Sequence, residues 1–143
     1  MFSIKKINHV AIIVSDYAVS KKFYCDLLKF KPIKETFRRD KNSYKLDLAV
    51  NHEYQIELFS FPNPPKRLSH PEARGLRHLA FSVDNLDDCI SYLRENGIVV
   101  EAIRVDEITG CRFTFFSDPD NLPLELYETQ KSNPPENPAI KAF

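Results

Sequence analysis

The sequence predicts an α+β fold in which one motif, a strand, a helix and three further strands, is written twice. Three observations predict it. HVAIIV at 9–14 returns as HLAFSV at 78–83, and IELF at 56–59 returns as LELY at 124–127. His9 and Glu57 stand 48 positions apart (57 − 9), and His78 and Glu125 stand 47 apart (125 − 78). Self-similarity across half a chain of 143 residues marks an internal duplication.

Each element follows in order. Residues 7–14 are apolar and rich in Ile and Val, which favour a strand. Alternation there puts His9, Ala11 and Ile13 on one face and Val10, Ile12 and Val14 on the other. Ser15 or Asp16 offers a helix N-cap, and Val19, Phe23 and Leu27 at four-residue spacing predict a helix over 17–28 that Pro32 ends. ETFRRDKNSYKLDLAV supplies two strands split by a polar turn at 39–43. A second polar turn at 51–53 leads into YQIELFSF, completing a module over 4–61.

The proline-rich, aperiodic stretch 62–74 reads as a connector. A second module over 75–129 repeats the order. Asp84 or Asn85 caps a helix carrying Leu86, Ile90 and Leu93, and Gly97 stands just past its end. IVVEAIRV, CRFTFFS and PLELYE follow as strands, with SDPDNLP as a tight turn between the last two. The two modules together form one domain over 1–129, and residues 130–143 form a loosely ordered tail outside the repeat.

Bulk composition excludes several classes. Twenty basic and twenty acidic residues give no electrostatic case for a nucleic-acid partner. No run of eighteen apolar residues exists to span a membrane, and the N-terminal stretch lacks a signal-peptide cleavage site. Cys25, Cys89 and Cys111 form no C-x-x-C pair, which argues for a reducing compartment, most simply the cytoplasm.

Alternation places Glu57 opposite Ile56 and Leu58, and Glu125 opposite Leu124 and Leu126. The apolar face takes the helices, so the histidines and glutamates share a concave, helix-free face. A carboxylate in an apolar strand costs several kcal/mol unless paired or bound to a metal. One such histidine or glutamate alone reads as structural; two matched pairs read as His9, Glu57, His78 and Glu125 holding one divalent ion, Zn, Ni, Co, Mn or Fe. Ala11 and Ala80 leave space beside it. Arg104 and Arg112 are candidates to hold an anionic substrate, and Tyr44 and Phe59, with Phe61 and Tyr127, are candidates to line the cavity. His52 and His70 read as surface residues.

NHVAIIVSDYAVSKKFYCDLLKF, QIELFSF, GLRHLAFSVDNLDD and FTFFSDPDNLPLELYE together cover nearly all of residues 4–129. On these stretches the chain resembles the vicinal oxygen chelate superfamily of glyoxalase I, bleomycin-resistance proteins and extradiol dioxygenases. Among its branches the chain is most similar to small bacterial glyoxalase-like proteins. The resemblance implies paired βαβββ modules in a curved mixed sheet around a metal cavity, with helices outside. It puts the ligand positions on His9, Glu57, His78 and Glu125. It further implies a metal that binds two neighbouring substrate oxygens, as in a lactoylglutathione lyase acting on a hemithioacetal or similar α-hydroxycarbonyl through a metal-stabilised enediolate. Glu125 is the expected base, with Glu57 as its alternative, and a homodimer is the expected assembly. An extradiol-type dioxygenase and a non-catalytic toxin- or antibiotic-binding protein are the rival readings. Lys29 and Asn121 replace glycines usual in the family, and the glutathione-contacting residues of glyoxalase I find no match.

Overall fold

The computed structural model describes residues 1–129; the tail expected at 130–143 lies outside the described residues. The chain divides into two compact units, Met1–Arg67 and Leu68–Phe143.

In the first unit, β1 (Val10–Val14) leads to α1 (Tyr17–Lys22), a π-turn (Phe23–Leu27), β2 (Lys31–Arg38), a 3-10 turn (Arg39–Lys41), β3 (Ser43–Val50) and β4 (Glu53–Ser60). The sheet order is β1-β4-β3-β2, with β1 parallel to β4 and the other pairs antiparallel. Asp16 caps α1 by accepting from the Val19 N–H at 3.1 Å. Ile12, Val14, Leu46, Leu48, Ile56 and Leu58 pack with Phe23, Tyr24 and Phe30 as the core. The β3–β4 hairpin turns through Asn51 and His52, both at positive φ (47° and 71°), the geometry a two-residue hairpin requires.

The helix departs from expectation twice. Val19 is 51% exposed, whereas Ser20, Phe23 and Tyr24 are buried. The inward stripe therefore runs i, i+3, i+4 from Ser20, the ordinary face of a 3.6-residue helix, rather than i, i+4, i+8 from Val19. Pro32 does not end the helix but lies within β2. The chain breaks at Lys29 instead, which adopts φ 61° so that the Phe30 N–H can donate to the Tyr24 carbonyl at 3.0 Å.

The second unit repeats the plan: β5 (Leu79–Val83), α2 (Leu86–Glu95), β6 (Arg104–Val105), β7 (Arg112–Ser117) and β8 (Pro123–Glu128), in the order β5-β8-β7-β6 with β5 parallel to β8. Asn85 is the N-cap, accepting from Asp88 N–H at 3.0 Å, and Leu86, Ile90 and Leu93 are buried on α2. The strand expected over IVVEAIRV shrinks to the two residues of β6. Glu101 N–H does reach the Phe115 carbonyl at 2.9 Å, but the Thr114 hydroxyl takes the Glu101 carbonyl and stops the ladder. Asp118 closes the β7–β8 turn by accepting from the Asp120 and Leu122 N–H groups at 2.8 and 2.9 Å, with Asn121 at φ 63°.

Two four-stranded mixed sheets with one principal helix each make this an α+β fold, as the sequence predicts.

Candidate metal centre

Register makes the two units equivalent at the residues of interest. Ala11 pairs with Glu57 across β1 and β4, and Ala80 pairs with Glu125 across β5 and β8. His9 and His78 each stand one residue before the first strand of their unit. A histidine two residues before the alanine projects from the same sheet face, so its ring meets the glutamate. His9 Nε2 lies 3.3 Å from Glu57 Oε2, and His78 Nε2 lies 3.0 Å from Glu125 Oε2. Two donors bound at about 2.0–2.1 Å to one ion are separated by roughly 2.9 Å in an octahedral site and 3.3 Å in a tetrahedral one. Both pairs have the spacing of neighbouring ligands.

Ring orientation supports the same use. His9 Nδ1 donates to Asn8 Oδ1 at 2.7 Å, so Nε2 is the nitrogen presented to the Glu57 carboxylate. His78 packs edge-on against Phe115, with ring centroids 5.1 Å apart.

The glutamates differ in company. Glu57 is buried, bonded by the Tyr54 hydroxyl, and 2.9 Å from Lys45 Nζ, which also reaches Asp47 at 3.2 Å. Burial pushes the Glu57 carboxyl up, but the Tyr54 hydroxyl and Lys45 ammonium outweigh it and hold the group below the usual carboxylate range. Burial and the bond to Glu57 push Tyr54 up to about 12. Glu125 has His78 as its polar partner among the described residues. Among those residues no group of three or more His, Cys, Asp or Glu side chains is arranged to hold a metal ion; each unit presents a pair.

The other candidates separate by sheet face. Phe59 shares the face of Glu57, lying under Arg38 and stacked on Phe61. Tyr44 shares the face of Leu46 and Leu48 instead and stacks on Tyr17 of α1 at 4.6 Å, so it packs on the helix side. Arg104, on the Phe115 face, lies over Phe113 and Phe115 and pairs with Glu101. Arg112 is committed elsewhere. It binds Glu128 through Nε and Nη2 (2.8 and 2.9 Å) and Asp87 at 2.9 Å, tying β7 and β8 to the start of α2. Tyr127 stacks on Phe113 and bonds Thr109 and Asp106. Sequence reasoning missed Asn8, Lys45, Tyr54 and Arg38. Alternation of Lys45 and Asp47 with Leu46 and Leu48 was the available signal for one of them.

The thiols are free, and burial pushes those of Cys25 and Cys89 up, away from nucleophilic use. No helix among the described residues is long and apolar enough to cross a membrane.

Comparison with known proteins bears on family and fold. Residues 6–126 match the family model of the Glyoxalase/Bleomycin resistance protein/Dioxygenase superfamily. The uncharacterized protein YaeR of Escherichia coli (strain K12) is 58% identical over 128 residues, covering 90% of this chain and 99% of that protein. The uncharacterized protein YwkD of Bacillus subtilis (strain 168) is 60% identical over 125 residues, covering 87% and 98%. The crystal structure of a glyoxalase family protein from Enterococcus faecalis superposes with a TM-score of 0.80 at 49% identity, over 87% of this chain and 98% of that one. The chain belongs to the glyoxalase, bleomycin-resistance and dioxygenase superfamily.

Proposed function

We propose that the protein is a divalent-metal-dependent isomerase or lyase of the glyoxalase I type, acting on a small α-hydroxycarbonyl or hemithioacetal. One observation carries the reading: an imidazole nitrogen and a carboxylate oxygen at ligand spacing, repeated in the same register in both units. Distant relatives lean the same way. Metallothiol transferase FosB of Staphylococcus saprophyticus is 31% identical over 130 residues, and the lactoylglutathione lyase of Schizosaccharomyces pombe is 27% identical over 154.

His9, Glu57, His78 and Glu125 are the residues that would hold the ion, Zn, Ni, Co, Mn or Fe. Bound there, a metal would favour negative charge on two neighbouring substrate oxygens. The protein's own side chains do the rest. Glu125 removes the carbon-bound proton and returns it to the adjacent carbon. It is better suited than Glu57, whose carboxylate is engaged by Lys45 and Tyr54. Ala11 and Ala80, small and beside the glutamates, leave room for the substrate. The protein acts in the cytoplasm as a homodimer, consistent with three free thiols.

The test is metal analysis of the purified chain followed by assays of hemithioacetal isomerisation and of oxygen consumption. A bound divalent ion with isomerase turnover is expected. Oxygen uptake instead would make it a dioxygenase. Absence of metal, with no thermal gain from Ni, Co, Zn or Mn, would leave the sequestering reading.

A further inference from the structure

We propose that Arg38, positioned by the buried Ser43, forms an anion-binding subsite on the His9/Glu57 face of the first unit, taking a carboxylate or phosphate end of the ligand. This deepens the function proposed above and rests on it for where the ligand's other end goes.

The placement comes from register. Arg38 pairs directly with Ser43 across β2 and β3, Lys45 pairs with Phe59, and Asp47 pairs with Glu57. Directly paired residues project from the same face, so Arg38, Ser43, Phe59 and Glu57 all do. The guanidinium lies 4.8 Å above the Phe59 ring and 5.4 Å from that of Phe61. Its Nη2 donates to the Ser43 hydroxyl at 2.7 Å.

What Arg38 lacks is a counter-charge. Arg112, Arg104 and Arg77 each pair with a carboxylate; Arg38 pairs with none among the described residues. Its Nε–H is buried and has no acceptor. A half-buried cation with no counter-charge is costly, and an anion supplied by a ligand would offset that cost. The guanidinium lies over two aromatic rings and spends Nη2 on a neutral hydroxyl, so its charge is available to a carboxylate or phosphate, the groups arginine recognises. Lys45 does not serve instead, because Glu57 and Asp47 already neutralise it.

The test uses the full chain loaded with Ni²⁺ and three metal-chelating probes: acetohydroxamate, succinic monohydroxamate and phosphoglycolohydroxamate. Calorimetry should show at least one charged probe binding about tenfold or more tighter than acetohydroxamate, and its identity reports carboxylate or phosphate. Arg38→Met should erase that preference while leaving acetohydroxamate affinity unchanged, and Arg38→Lys should keep part of it. Equal affinities in the unmodified protein, or a preference that survives Arg38→Met, would overturn the subsite. If acetohydroxamate itself fails to bind, the chelation reading falls alone. The subsite is then judged by titrating inorganic phosphate and acetate into the metal-free chain. A saturable shift of the Arg38 Nε–H resonance supports it; an unmoved resonance ends it.

Discussion

Glu57 and Glu125 occupy the same place in the repeated motif and keep different neighbours. Glu57 is held by an ammonium and a phenol; Glu125 has a single imidazole. A carboxylate fixed on one oxygen makes a good anchor, and one with a lone partner is free to swing. Glu125→Gln should therefore keep the fold and, at saturating metal, lower kcat by roughly 10²–10⁴-fold, the usual contribution of a general base. Glu57→Gln should chiefly weaken metal affinity, read by competition with a chelator. Equal kcat losses in the two would end the division of labour. All four candidate ligands could be read from the sequence because duplication marks them twice. Arg38, Lys45 and Tyr54 occur once, and their meeting with Phe59 and Glu57 depends on a strand register that no local pattern states. The place of Tyr44 is legible in the two-residue period it shares with Leu46 and Leu48, which puts it against α1.

At the scale of elements, the departures arise where local pattern competes with backbone strain or side-chain bonding. Lys29 carries a left-handed conformation at φ 61° that costs a side-chain-bearing residue about 1–2 kcal/mol. Lys29→Gly should stabilise the chain by roughly 0.5–1 kcal/mol after glycine's own entropy cost, measured by urea unfolding. Asn85→Ala removes the α2 cap and should cost about 1 kcal/mol in the same assay. Glu128 gives a pH test. The Arg112 guanidinium, then the Leu86 N–H, hold its carboxyl below the usual range. A depressed carboxyl contributes stability above its unfolded pKa of about 4.3, and that contribution fades as pH falls through the lower folded value. The stability gap between the unmodified protein and Glu128→Gln should be present at neutral pH and close in acid. A gap independent of pH would contradict the assignment. β6 was overread because IVVEAIRV has a strand's composition, yet Val99 is 87% exposed and Thr114 takes the carbonyl a ladder needs.

For the molecule as a whole, the two units share strand order and the pairing of alanine with glutamate. If both contribute to one centre, His9→Ala and His78→Ala should each abolish the thermal stabilisation by added divalent ion. That gain is about 2.7 kcal/mol when the ion is present at a hundredfold its dissociation constant. A gain lost in only one of the two variants would confine the centre to one unit.

The matched registers have a last consequence. If one ion draws its ligands from both units, each half a copy of the other, that set treats the two ends of a small molecule alike. Any preference for one end would then come from what was not copied: Lys45 on Glu57 with Arg38 over Phe59 in one unit, and Phe115 against His78 under the Glu101-paired Arg104 in the other. Chemistry can then be kept by what the halves share, while choice of substrate drifts with what they do not.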